Sequence, residues 1–170
     1  MTVLVVGDHP EVRAIIQRRQ ALGLDGHDEV WEGIHHMLPY AESGHGEVET
    51  QLTLVLHPYA RAAGLHVTGA FNLGSKGDYR APDLGVRVPG PRAAYLPTST
   101  MVIEVLSPDD ETFAKFDFYA ACGVKEILVA DPDTRSVRCC AFTPHGPIES
   151  RSSAVLQVDC DHLETAVEWP

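Results

Sequence analysis

Met101-Val102-Ile103-Glu104-Val105-Leu106-Ser107-Pro108 is an apolar run with one carboxylate in its middle. Residues 101–106 read as a central strand covered on both faces, because a half-exposed strand would alternate. Glu104 is then the anomaly: a buried carboxylate is costly unless it is paired or binds a metal ion. Ser107-Pro108-Asp109-Asp110 predicts a helix start, with a polar cap and an acidic first turn. That helix is expected to run to about Ala121, with Gly123 ending it. Residues 125–130 (KEILVA) predict a second buried strand. Asp131-Pro132-Asp133 turns the chain, and 135–142 returns as a strand on which Cys139 and Cys140 point to opposite faces.

Upstream, 83–88 (DLGVRV) alternates like a strand, and a loop with three prolines, 89–98, separates it from Glu104. Residues 65–71 predict a strand, and 72–80 a polar, Gly-containing turn. The longest helical pattern is 45–63, where Val48, Leu52, Val55, Leu56, Tyr59 and Ala63 recur at three- and four-residue steps. Pro58 is expected to kink that helix or interrupt its hydrogen bonds. Residues 28–38 predict two short strands around Glu32-Gly33, with a loop from Pro39 to Gly44. The chain begins with a strand at 2–6, a break at Gly7-Asp8-His9-Pro10 and a helix at 11–22. Beyond 143 the pattern is irregular, with one more strand near 154–158. The expected fold class is α/β (α+β), a mixed central sheet flanked by helices. It is read as one domain over 1–170, with a core at 28–142 and a strand–helix extension at 1–27.

Composition bounds the function. The chain has 170 residues, 44% of them hydrophobic, enough for one real core. Thirteen Lys and Arg against 24 Asp and Glu give a net charge of −11, which disfavours sequence-blind wrapping of nucleic acid. None of the four cysteines forms a CxxC pair, so a zinc ribbon is not expected, and reduced cytoplasmic thiols fit. The apolar start is too short for a signal peptide, and no run is long enough to span a membrane. The nine histidines make no HExxH; His57 and His66 read as structural. The opening VLVVGDHPEVRAII is similar to a response-regulator receiver. That fold needs a second Asp near 50–55, and VETQLTLVL at 48–56 has none.

Asp83, after Tyr79-Arg80-Ala81-Pro82, is the second anomaly. It opens the strand before that of Glu104. Adjacent strands lie about 4.8 Å apart, so the two carboxylates would reach one cation of the Mg²⁺ or Mn²⁺ kind. The competing reading has Glu104 paired with Lys or Arg and Asp83 capping a turn.

The order Pro82-Asp83, Val102-Ile103-Glu104-Val105-Leu106-Ser107-Pro108, Lys115, Phe118-Tyr119-Ala120-Ala121-Cys122-Gly123-Val124-Lys125-Glu126 and Val129-Ala130-Asp131-Pro132 resembles the Uma-type restriction endonuclease family of the PD-(D/E)XK superfamily. Glu29-Val30-Trp31-Glu32-Gly33 is similar to its opening hairpin, and His45 to the histidine that begins its first core helix. The resemblance covers roughly residues 28–142. It implies a restriction-endonuclease-like fold and metal-dependent hydrolysis of DNA, with Asp83, Glu104 and the backbone carbonyl of Val105 holding Mg²⁺ or Mn²⁺. The superfamily lysine two residues after the glutamate is Leu106 here, and the resemblance moves its role to Lys115 on the next helix. Read alone, Lys115 is an exposed helix lysine. His45, Glu32 and Glu49 are accessory candidates: His45 as a contact or a cap, Glu49 as a solvated helix residue, Glu32 as turn chemistry. The rival function is a catalytically silent nuclease-fold domain that binds or dimerises, and a third reading is an RNA or small-molecule hydrolase. Exposed edge strands would permit a homodimer.

Overall fold

The apolar run around Glu104 lies at the centre of a sheet. The computed structural model describes residues 3–5 (backbone only), 9–38, 41–108 and 111–170. The first elements are β1 (Val3–Val5), α1 (Pro10–Ala21), β2 (Glu29–Trp31), β3 (Ile34–Met37) and α2 (Ser43–Ala62). Then come β4 (His66–Thr68), β5 (Asn72–Ser75), β6 (Asp78–Arg80), β7 (Leu84–Arg87), β8 (Tyr95–Leu96) and β9 (Met101–Val105). A 3-10 turn (Thr112–Lys115) leads into α3 (Phe116–Ala121), followed by β10 (Glu126–Asp131), β11 (Ser136–Thr143) and β12 (Gly146–Ser150). The chain closes with β13 (Ser152–Ser153), β14 (Val158–Asp159) and α4 (Cys160–Ala166).

Two six-stranded sheets result. The central one runs β12-β11-β10-β9-β7-β4, with β9 and β10 parallel and the other neighbours antiparallel. The second runs β1-β3-β2-β6-β5-β8, antiparallel except for β5 against β8. Strand alternation assigns the faces of the central sheet. Met101, Ile103, Val105, Leu128, Ala130, Val137 and Cys139 face α2, through Val48, Leu52, Leu56 and Ala60, and α4, through Cys160 and Leu163. Val102, Ile127 and Val129 face the other way, against Tyr119 and Val124, with Leu73 of the second sheet closing over them. This double cover is why 101–106 lacks polar alternation. Each fully buried Leu or Ile there contributes about 1.5–3 kcal/mol of transfer free energy. Cys139 and Cys140 do lie on opposite faces.

The structure departs from the pattern in several places, among them strand β8 inside the loop expected at 89–98 and strand β12 in the tail expected to be irregular. The helix expected from Ser107 to Ala121 is shorter: Ser107 and Pro108 lie outside it, and only the 3-10 turn and the six residues of α3 are helical among the described residues. The acidic first turn, Asp109-Asp110, lies outside the described residues, as do Thr2 and Val6 of the first strand, Gly7-Asp8 and Pro39-Tyr40. The turn expected at 72–80 is the hairpin β5–β6. Residues 154–157, expected to be strand, turn between β13 and β14, and the tail ends in an unforeseen helix, α4. As expected, Pro58 interrupts the regular bonding of α2 without ending the helix; it lies on the exposed side, where the carbonyl left without an N–H can turn to water. No helix among the described residues is long and apolar enough to cross a membrane.

Candidate functional site

The register of β7 against β9 builds the site. Leu84 lies opposite Ile103, so Asp83, one residue before β7, comes level with Glu104 at the C-terminal end of β9. Neighbours from both sides complete it: α2 brings His45 and Glu49, and the 3-10 turn and α3 bring Lys115 and Tyr119.

Two linked clusters form. In the first, Asp83 Oδ2 accepts the backbone N–H of Val105 at 2.7 Å, and Asp83 Oδ1 lies 3.2 Å from His45 Nε2. His45 Nε2 also lies 3.0 Å from Glu49 Oε1, one helical turn on, and its Nδ1 is 3.0 Å from Ser107 Oγ. Burial disfavours the imidazolium, but the hydrogen bonds to Asp83 and Glu49 outweigh it and lift His45 to about 10. One ligand atom each from His45, Glu49 and Asp83 falls within 4.8 Å of the others, which suits a divalent cation with oxygen and imidazole ligands.

In the second cluster, Glu104 is buried, and its Oε1 accepts from the Tyr119 hydroxyl and from Lys115 Nζ at 3.4 Å. Lys115 is itself buried, and its Nζ lies 3.0 Å from Glu29 Oε1. Burial pushes the Glu104 carboxyl above the ordinary carboxylate range, with the Lys115 ammonium pulling the other way. Burial also opposes the Lys115 charge, but Glu104 and Glu29 overcome it and hold the ammonium. The Tyr119 phenol is raised by burial and by Glu104, so it stays a donor. The arrangement sets an acidic and imidazole cluster beside a buried ammonium.

The candidates therefore divide. Asp83, His45 and Glu49 come together, Glu104 and Lys115 come together, and the Val105 backbone joins the two clusters through its bond to Asp83. Leu106, beyond the end of β9, packs among apolar side chains. Glu32 stands apart: it is exposed at φ 50 in the β2–β3 turn beside Gly33 at φ 86, and its N–H donates to Asp78 Oδ1 at 3.1 Å. Sequence reasoning did not single out Glu29, Tyr119 or Ser107. For Glu29 the available signal was a carboxylate one residue from Val30 in a strand, weaker than that at Glu104.

A family model, Uma2, described as "Putative restriction endonuclease", matches residues 20–157. No curated protein matches the chain. Among solved structures, "a putative nuclease belonging to DUF820 from Anabaena variabilis ATCC 29413" aligns with a TM-score of 0.65 at 16% identity, over 82% of this chain and 90% of that one. A cryo-EM structure of the DrdV–DNA complex aligns at a TM-score of 0.38 and 16% identity, over 69% of this chain and 11% of that one. The first likeness establishes a shared fold; the second is too low to do so. Because the family match spans well over half of the residues, the chain belongs to the Uma2 family, described as "Putative restriction endonuclease".

Proposed function

We propose that this chain is a divalent-metal-dependent endonuclease that hydrolyses phosphodiester bonds, with DNA as its substrate. The observation that carries the reading is the buried ammonium of Lys115 on Glu104, in the strand next to the segment that carries Asp83. Family membership supports the reaction class. The residues that would hold Mg²⁺ or Mn²⁺ are Asp83 and Glu104 with the carbonyl of Val105, and His45 and Glu49 extend that set. Bound there, the cation supplies Lewis acidity and an activated water.

The chain's own groups do the rest. Lys115 stands ready to neutralise charge that grows on the phosphoryl oxygens. Tyr119 donates to Glu104 and fixes its rotamer. His45 orients Asp83 and, once deprotonated, is free to bind the cation or to take a proton from water. Leu106 leaves the position two residues after the glutamate uncharged, and Lys115 supplies the ammonium beside Glu104.

The test is nicking of supercoiled plasmid by wild type and Asp83→Ala, with Mg²⁺, Mn²⁺ or EDTA, beside single-stranded RNA of mixed sequence. Wild type should open the plasmid only with a cation, and Asp83→Ala should lose at least about a hundredfold. Cutting in EDTA contradicts the metal dependence, and cutting of RNA alone contradicts the DNA assignment. The net charge of −11 favours one rival, a silent nuclease-fold domain; that rival predicts no cleavage of either substrate.

A further inference from the structure

We infer that Glu29 is a positioning residue for Lys115, holding the ammonium in the site so that Glu104 is free to engage a cation. The inference rests on the endonuclease reading for its purpose, and on the geometry alone for the hold itself.

Lys115 Nζ lies nearer to Glu29 Oε1, at 3.0 Å, than to Glu104 Oε1, at 3.4 Å. The Glu29 carboxylate is 1% exposed and has no freedom to follow the lysine elsewhere. Its Oε1 also accepts the N–H of Ala81 at 2.9 Å, and its Oε2 accepts the indole N–H of Trp31 at 2.6 Å. Trp31 is pinned in turn, stacked on His36 at 4.2 Å with the Arg80 guanidinium 4.4 Å from its ring. Arg80 lies 4.0 Å from the Phe118 ring, next to Tyr119 on α3. The second sheet thus presents one rigid carboxylate to the lysine, beside the Glu104 carboxylate that β9 presents. It is anchored through Ala81, two residues before Asp83.

The chemistry requires such a second partner. A divalent cation and an ammonium that share Glu104 as their only carboxylate compete for it, and the stronger charge displaces the lysine. With Glu29 fixed by two N–H donors, the ammonium keeps a counter-charge outside the Asp83–Glu104 pair. It stays in place when Glu104 turns to the cation. A long, flexible side chain held this way loses little further freedom on reaching the transition state. The Glu32-Gly33 turn of the β2–β3 hairpin is remote from the chemistry; the working carboxylate of that hairpin is Glu29.

The variant is Glu29→Gln, which keeps the shape and an acceptor for Ala81 but removes the charge; near-UV circular dichroism checks its fold. The first readout needs neither metal nor substrate. In the full chain labelled with [¹⁵N]lysine, the Lys115 ammonium signal, assigned by its loss in Lys115→Met, should be sharp and slowly exchanging in the wild type. It should broaden away in Glu29→Gln, and an unchanged signal overturns the inference. The second readout is plasmid nicking: kcat should fall about tenfold to a hundredfold with KM for plasmid unchanged. An unchanged kcat overturns the role in the reaction. Trp31→Phe, which keeps the ring stack but removes one donor to Glu29, should move both readouts the same way by less, and supplies them if Glu29→Gln does not fold. If wild type cuts no DNA, the endonuclease reading falls while the ammonium signal still decides the positioning.

Discussion

Lys115 sits where no surface lysine could remain: its side chain is 11% exposed and meets two carboxylates. Lys115→Met should therefore cost far more than a surface change. Besides a loss of nicking of about 10²–10³-fold, it leaves Glu104 and Glu29 buried without a cation, a defect of about 3–5 kcal/mol. Burial already raises the Glu104 carboxyl, and in the variant the Lys115 ammonium no longer pulls it down. Its protonated form restores stability at low pH, and the defect grows as pH rises. Urea unfolding at pH 5 and pH 8 should show the larger loss at pH 8; a loss of under 0.5 kcal/mol at both would mark an ordinary surface lysine. His45 gives the opposite kind of signal. Its pKa is raised from 6.5 to about 10, so its pairing with Asp83 and Glu49 stabilises the fold fully below about pH 6.5. That contribution disappears as pH rises through 10. His45→Gln should lose stability relative to wild type at pH 6 and much less near pH 10, and equal losses at both would place the histidine's role elsewhere. At this scale the burial of Glu104 was legible, since a carboxylate inside MVIEVL has no bland neighbour to hide it; Lys115 alone reads as an exposed helix lysine and was reached only through the family resemblance. Glu29 was not, because Asp28, Glu29 and Glu32 look alike in sequence and only the fold shows which one meets Lys115. Tyr119 reads as a core aromatic, and its hydroxyl acquires a role only when α3 lies over β9.

Among the elements, the strands with continuous apolar runs and the β2–β3 hairpin were read well, and the β5–β6 and β11–β12 hairpins were not. β9 and β10 announce themselves by burial on both faces. β5 has one fully buried apolar residue, Leu73, and its turn residues dominate the pattern. Yet β5 and β6 tie the second sheet to α3, and Gly74 makes the close approach. Gly74 has φ 119, and a Cβ there would lie 2.5 Å from the Asp78 carbonyl oxygen and 2.8 Å from the Phe118 ring. Gly74→Ala should destabilise by about 1–3 kcal/mol, combining strain with overpacking. A thermal midpoint within a degree of wild type would show that the hairpin yields freely. α4 escaped notice for a related reason: Cys160 and Leu163 are its buried residues, too few to stand out in a polar tail. The helix after Glu104 was placed correctly in order but not in form, because the backbone tightens to a 3-10 turn that ends at Lys115.

For the whole molecule, the charge of −11 and the acidic centre point the same way: native-state binding of a divalent cation should stabilise the fold. Mn²⁺ at about a hundred times its dissociation constant would add about 2.7 kcal/mol. The gain should be larger at pH 8.5 than at pH 6.5, because ligands must shed protons to bind. Glu104→Gln should remove most of it, and an equal gain in that variant would put the metal elsewhere. The central claim, that Asp83 and Glu104 are the metal-binding heart of the site, is tested most directly by anomalous diffraction from crystals soaked in Mn²⁺. The account predicts a strong anomalous peak within coordination distance of an Asp83 carboxylate oxygen and of Glu104, with Lys115 still on Glu29. A well-occupied manganese bound away from both carboxylates, or no peak there at saturating Mn²⁺, would contradict it.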